Sequence, residues 1–323
     1  MRNRSEKRYG AAFLAAGLVL AMALSGSARD RETYEEKFEK VESLARDGRI
    51  FLSNLSGTID VKVWKDEKVR IEAVKVSRAA TQEAARENAG QVTIEVAREA
   101  GELRIETKYP RRKGGWGDRS LNISVNYTLW IPDKASPEIK SISGDIKVEA
   151  AGGAVKAGAI SGGVDILGAA GNVDVNVVSG GIRLENISGD VYLKAVSGSI
   201  EVARVKGSIQ AETVSGRVRL EDVSEARTVR AKSLSGGIVY NGTIDAKGRY
   251  TMESHSGNVR MTIPAASAFD FNAKTFSGVI ETDFPIEVSG KISPRELRGV
   301  VGGGGADIKL SSFSGNIELR KNN

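Results

Sequence analysis

Residues 142–216 read ISGDIKVEAAGGAVKAGAISGGVDILGAAGNVDVNVVSGGIRLENISGDVYLKAVSGSIEVARVKGSIQAETVSG, and glycine returns at every ninth position from Gly144 to Gly216. Counted from each glycine, the second position is Ile146, Val155, Val164, Val173, Ile182, Val191, Ile200, Ile209 and Val218, all β-branched. The fourth position (Val148, Ala157, Ile166, Val175, Leu184, Leu193, Val202, Ala211, Leu220) is apolar throughout. So is the seventh (Ala151, Ile160, Ala169, Val178, Ile187, Val196, Val205, Val214, Val223). The positions between carry mixed polar and charged residues.

Side chains alternate along a strand, so positions two and four share a face. Position seven breaks that parity. For it to point inward as well, the backbone must bend between positions four and seven, and a second bend must follow at the glycine, the residue that accepts such a turn most readily. One unit cannot bury its own apolar face. Copies stacked about 4.8 Å apart satisfy the backbone with ladder hydrogen bonds and pool their aliphatic residues. Three buried aliphatic side chains per unit, at roughly 1.5–3 kcal/mol each, weigh usefully against the entropy of ordering nine residues.

The corners set the coil length. Ile142-Ser143-Gly144, Ile160-Ser161-Gly162, Val178-Ser179-Gly180, Val196-Ser197-Gly198 and Val214-Ser215-Gly216 recur every 18 residues, whereas the intervening corners vary. Two nonapeptides therefore make one coil. The Ser-Gly corner continues at Ser235-Gly236, Ser256-Gly257, Ser277-Gly278 and Ser314-Gly315, so later coils are longer. With Phe269, Phe271, Phe276, Phe284 and Phe313 they predict a wider core. About ten coils give a rod of roughly 45–50 Å. The expected fold is all-β: a right-handed β-solenoid of about 18–21 residues per coil, its hand following from general chirality.

Outward from the repeats, residues 29–135 lack the period and are expected to form a β-rich cap over the open solenoid end, which would otherwise template strand pairing. Lys62–Val76, Val92–Val96, Leu103–Thr107 and the alternation from Leu121 to Ile131 read as strands, and Arg78–Ala89 as a short helix. Residues 136–323 are the repeat domain, with Arg320 and Lys321 expected to guard its far end by charge. Residues 1–28 read as a signal peptide: basic Arg2, Arg4, Lys7 and Arg8, an uncharged run from Ala11 to Leu24, and small Gly26 and Ala28 before Arg29. An uncleaved anchor is the alternative, although the run is short of the ~20 apolar residues a span needs. The expected location is exported: periplasm, outer surface or secreted.

The chain has no Cys, which excludes disulfides, thiolate metal sites and lipidation at cysteine. Its formal charge is +6, but the leader contributes +3 of it, and the remaining charges alternate in sign along strands, so no nucleic-acid footprint is expected. Membrane contact is expected only through an uncleaved leader.

The segments NLSGTIDVKVW (54–64), VNYTLWIPDKASPEIKSISGDIKVEA (125–150) and GVVGGGGADIKLSSFSGNIELR (299–320), with the Ser-Gly ladder between them, resemble the bacterial "putative adhesin" domain family, a domain of unknown function. The resemblance spans nearly the whole chain after the leader. It implies an exported envelope protein with a right-handed solenoid, and it brings no catalytic residues with it.

Chemistry is weighed residue by residue. Calcium-loading nonapeptides need several glycines and a regular Asp per unit. Here one glycine is obligatory, and Asp145, Asp165, Asp174 and Asp190 occupy two different slots. A β-helix lyase or hydrolase would need convergent carboxylates. Asp165, Asp174, Glu149 and Glu185 are interspersed with Lys147, Lys156, Arg183 and Lys194, the pattern of a solvated, charge-mixed face. His255, the only histidine, stands in the slot that Ile, Val, Leu or Phe fills before other Ser-Gly corners, which points to packing. The corner serines lack a base and a G-x-S-x-G turn, and local hydrogen bonds to the turn explain them. Gly302–Gly305 lacks the Lys-Ser/Thr of a phosphate loop and reads as a hairpin. No catalytic, cofactor or metal residue is assigned. The nameable candidate for contact is the basic, Gly-rich loop of Arg111, Arg112, Lys113, Trp116 and Arg119, suited to an anionic glycan, a lipid headgroup or a protein. The expected role is a non-enzymatic adhesin-like scaffold with an unknown envelope or surface partner, glycan or protein, or a second copy of itself. A carbohydrate-active β-helix enzyme is the alternative.

Overall fold

The computed structural model describes residues 31–99, 101–110, 122–288 and 293–322. The stretch read as a signal peptide and the basic loop of Arg111, Arg112, Lys113, Trp116 and Arg119 lie outside them. The chain begins with β1 (Glu32–Ser43), β2 (Arg49–Ser56), β3 (Ile59–Trp64), β4 (Lys68–Ala79), α1 (Gln82–Gly90), β5 (Thr93–Glu99), β6 (Glu102–Lys108) and β7 (Ile123–Pro132). The ladder proper runs β8 (Ser136–Ser143), β9 (Ile146–Ala151), β10 (Val155–Ser161), β11 (Val164–Ala169), β12 (Val173–Ser179), β13 (Ile182–Ile187), β14 (Val191–Ser197), β15 (Ile200–Lys206), β16 (Ile209–Ser215) and β17 (Val218–Ser224). The longer coils hold β18 (Thr228–Ser235), β19 (Ile238–Gly242), β20 (Arg249–Ser256), β21 (Val259–Pro264), β22 (Phe269–Ser277) and β23 (Ile280–Thr282). The chain ends with β24 (Glu287–Val288), β25 (Glu296–Val301), β26 (Ala306–Ser314) and β27 (Ile317–Asn322).

Strands before and after each Ser-Gly corner go to opposite layers. One layer is a 13-stranded sheet in the order β1-β4-β7-β3-β9-β11-β13-β15-β17-β19-β21-β27-β23; the other is a 14-stranded sheet, β24-β25-β22-β26-β20-β18-β16-β14-β12-β10-β8-β2-β6-β5. Ladder neighbours are parallel and in register: Ile146 faces Val164, Val164 faces Ile182, and Ile182 faces Ile200. All four are buried. A single aliphatic core runs between the sheets, and the chain is a β-solenoid of two nonapeptides per coil.

The layers are not equivalent, and here the expectation about position seven is corrected. In the β9-to-β17 layer, position six is left-handed, with positive φ at Ala150 (55°), Gly168 (76°), Asn186 (60°), Arg204 (54°) and Asp222 (53°). That one residue resets the side-chain parity, so Ala151, Ala169, Ile187, Val205 and Val223 turn back into the core. The strands of the other layer run straight to the corner. There position six (Ala159, Val177, Ala195, Thr213) is buried, and position seven faces outward: Ile160, Val178, Val196 and Val214 are 51, 48, 49 and 47 % exposed. Only half of the seventh column is core.

Both ends depart from a simple stack. Strands β2 and β3 meet at a Ser56-Gly57 corner and form a coil of their own, pairing in parallel with β8 and β9, so the ladder starts well before residue 136. Beyond this coil lie β6 and β7, and then β5, β4 and β1 in antiparallel pairing, which cover this end of the stack. Thr81 Oγ1 accepts from the Ala84 amide to start α1, which packs Ala85 and Ala89 inward. At the far end, β26 and β27 insert between β20/β21 and β22/β23. Arg320 and Lys321 therefore do not guard an open end. Arg320 is paired with Glu281 and Asp283 inside the ladder, while antiparallel β25 and β24 close the edge. Of the five late phenylalanines, Phe269, Phe271 and Phe284 fill the core; Phe276 and Phe313 are exposed. Tyr240 and Tyr250 are the buried aromatics that complete the widened section.

Candidate interaction surface

The glycine corner makes the two columns beside it possible. A Cβ on Gly180 would lie 2.1 Å from the Gly162 carbonyl oxygen, and the residue is held at φ 145°. The corners thus stack closer than any side chain permits. The corner serine contributes its backbone: the Ser161 carbonyl accepts from the Gly144 amide at 2.9 Å, and Ser179 serves Gly162 alike. Its hydroxyl has no hydrogen bond among the described residues, contrary to expectation. The hydroxyls that do hold the turn come two residues earlier: Thr213, Ser233 and Ser254 donate to the carbonyls of Gly198, Gly216 and Gly236, each at 3.0 Å. That column points inward, so on the outer face the backbone beneath it is the floor of a furrow between the outward side chains on either side.

Along the furrow runs the outward seventh column. Leu55, Ile142, Ile160, Val178, Val196, Val214, Leu234, Phe313 and Phe276 are all exposed. His255 continues the line between Leu234 and Phe313, its ring stacked on Phe313 at 4.8 Å and 10°, and Phe313 stacks in turn on Phe276 at 4.8 Å and 4°. The inference that His255 occupies an apolar slot holds, although the slot faces solvent. From Val178 to Phe276 the column walls an open, mostly apolar groove of about 940 Å³. The other wall is a second outward column two residues earlier on each strand, which reads Asn176, Lys194, Glu212, Lys232, Glu253 in ladder order. Lys232 and Glu253 pair at 2.5 Å.

The carboxylates considered for chemistry are otherwise engaged. Asp145 Oδ1 accepts the Gly163 amide at 2.7 Å and Asp190 Oδ1 the Ser208 amide at 2.9 Å, so these two residues brace the backbone of the next coil. Asp174 accepts from Asn176 at 2.9 Å, and Asp165 lies in register between Lys147 and Arg183. Lys147, bonded to Glu149, holds that carboxyl below its ordinary range; Arg204 pairs with Glu185. Among the described residues no group of three His, Asp or Glu side chains is placed to hold a metal. Trp64 donates to the Lys68 carbonyl at 2.7 Å, and Trp130 lies beneath the Arg70 guanidinium at 5.1 Å. Trp64 ends the first coil, and Trp130 belongs to β7, the cap strand beside it.

A two-layer parallel solenoid with a left-handed residue in alternate units and a bare apolar corner defines a β-solenoid repeat protein. Within that class the chain belongs to the Toastrack DUF4097 family, whose model matches residues 48–320. No curated protein matches it. Solved structures similar to it include a "putative adhesin" from Bacteroides fragilis, 12 % identical, covering 88 % of this chain and 96 % of its own, with TM-score 0.36. A "putative lipid binding protein" from Parabacteroides distasonis is 14 % identical with the same two coverages and TM-score 0.36. A "putative cell adhesion protein" from Clostridium sporogenes is 12 % identical, covers 88 % of this chain and all of its own, and has TM-score 0.27.

Proposed function

We propose that the protein is a non-catalytic, exported scaffold of the cell envelope or surface, a rod that offers its apolar corner to a protein partner. The observation that carries this reading is the outward column from Leu55 to Phe276. Isolated exposed apolar residues are ordinary; a line repeated on every coil, with a groove behind it, is the surface signature of an interaction face. Carboxylates beside it pair with ladder neighbours, Glu212 with Arg230 and Glu253 with Lys232, which supports binding over turnover. The basic, apolar leader argues for export, and the basic loop around Trp116 remains a second contact candidate. Incubating the purified protein with envelope and plant polysaccharides, followed by reducing-end and unsaturated-uronide assays, is the direct check. No release above the buffer blank is expected, and turnover of any glycan would overturn the reading in favour of a carbohydrate-active enzyme.

A further inference from the structure

The scaffold reading leaves the occupant of the corner open, and the two columns are arranged to fit each other when one rod is reversed. We propose that the corner is the seam of an antiparallel homodimer, with a two-fold axis lying along the strands between the Val214 and Leu234 coils. The inference rests on the scaffold reading for the corner being a binding face.

Charge is the first argument. Reversal about that axis sets Lys194 opposite Glu253 of the second copy and Glu212 opposite its Lys232. Each contact occurs twice, and each joins opposite signs. An axis placed through a coil instead of between two would set Glu212 on Glu212 and Lys194 on Lys232, a repulsive register. Among the described residues Lys194 has no ion pair in its own chain, so this contact is free to form.

Size is the second. The slim half of the column, Ile160, Val178 and Val196, would meet the broad half, Phe276, Phe313 and His255. Val214 would meet Leu234. A strip graded from aliphatic to aromatic is self-complementary only when reversed.

Extent is the third. Eight of the ten corners overlap in this register, and seven steps of about 4.8 Å give a seam of ~34 Å. The charged column lies two residues, about 7 Å, away, so the face is about 10–12 Å wide, or roughly 350–400 Å² per partner. A standard stable interface buries about 800 Å² on each side. An interface of this size belongs to the weak, transient class, so dimers are expected only at high protein concentration.

Cysteine pairing tests the register, because the chain contains no Cys of its own. Purified Val178→Cys and Phe313→Cys chains are mixed and oxidised. The seam predicts mixed disulfide dimers, since these positions face each other. It predicts little linkage of one Val178→Cys chain to another, since those sites are five coils, about 24 Å, apart in the dimer. Sedimentation equilibrium of the unmodified protein should show dimers at about 100 µM. Glu212→Lys should weaken them at least about tenfold, and Glu212→Lys/Lys232→Glu should recover most of the loss. Linkage between two Val178→Cys chains in place of the mixed product overturns the antiparallel register. A monomer at all concentrations overturns the seam, and if that monomer floats with vesicles of phosphatidylglycerol and phosphatidylethanolamine, a lipid surface is the occupant. Glycan turnover by an intact dimer would strike the scaffold reading and leave the seam standing, so the two can fail separately.

Discussion

At Gly180 the chain turns so tightly that a methyl group would collide with the backbone of the coil below, and the collision is with a carbonyl that cannot move without unstacking its own corner. Gly180→Ala combines this clash with a disfavoured φ of 145°, and should cost about 2–4 kcal/mol, seen as a lower urea midpoint. Gly158 is the control. It sits mid-strand, where an added Cβ meets nothing nearer than 3.7 Å, so Gly158→Ala should leave the stability unchanged or raise it by up to about 1 kcal/mol. Equal losses at the two sites would show that glycine is required for general slimness and not for the corner. The same scale explains the hydroxyl column. Thr213→Val keeps the shape and removes one hydrogen bond to Gly198, so a loss of about 0.5–1.5 kcal/mol is expected in the same titration.

Within one strand pair, the position of a single left-handed residue decides which apolar side chains are core. Ile187 follows Asn186 at φ 60° and is buried; Val196 ends a straight strand and is half exposed. Ile187→Ala should therefore cost about 2–4 kcal/mol and Val196→Ala less than about 0.5, measured by denaturant unfolding. The nine-residue period made the coil, its register and the second and fourth columns legible in the sequence, because those positions obey simple strand parity in both layers. It hid the difference between the layers, because position seven is apolar in both but buried in the core in one and exposed to solvent in the other. The distinguishing signal lay at position six. Read every 18 residues it is Ala150, Gly168, Asn186, Arg204 and Asp222 in one layer, including the residue types most tolerant of positive φ, and Ala159, Val177, Ala195 and Thr213 in the other. The first coil was similarly veiled. Ser56-Gly57-Thr58-Ile59 is a regular corner, but it is separated from its neighbour at Ser143-Gly144 by the chain of the cap. Sequence distance concealed spatial adjacency.

Across the whole molecule the order of strands matters more than their number. Because β26 and β27 are threaded between β20/β21 and β22/β23, deleting residues 306–323 removes an internal coil, not a frayed end. The shortened chain should lose the packing of Phe269 and Phe271 and become open to proteolysis beyond residue 264, checked by limited digestion and mass spectrometry. Stability should also be lopsided in pH. Burial pushes the Tyr109 phenol up to about 12 and raises Tyr127 and Tyr240 as well. The unfolded chain releases these protons near pH 10 while the folded chain retains them, so the stability they leave intact below that point is lost as pH climbs. On the acid side, Asp133, Glu106 and Glu149 are held low by Arg46, Lys108 and Lys147, but all are solvent-screened surface pairs and their loss should matter little. Urea midpoints at about pH 4, 7 and 11 should fall far more on the alkaline side.

Binding at the corner requires alternate seventh positions to face opposite ways. Single cysteines placed at 178, 196 and 214, and at 187, 205 and 223, can be timed against a maleimide without any background thiol. The first three should react within about tenfold of a free thiol and the second three at least about a hundredfold more slowly, limited by opening of the coil. Six similar rates, or protection at 178, 196 and 214 at about 0.1 µM protein, where the proposed dimer is dissociated, would contradict the two-layer account and remove the corner as an interaction face.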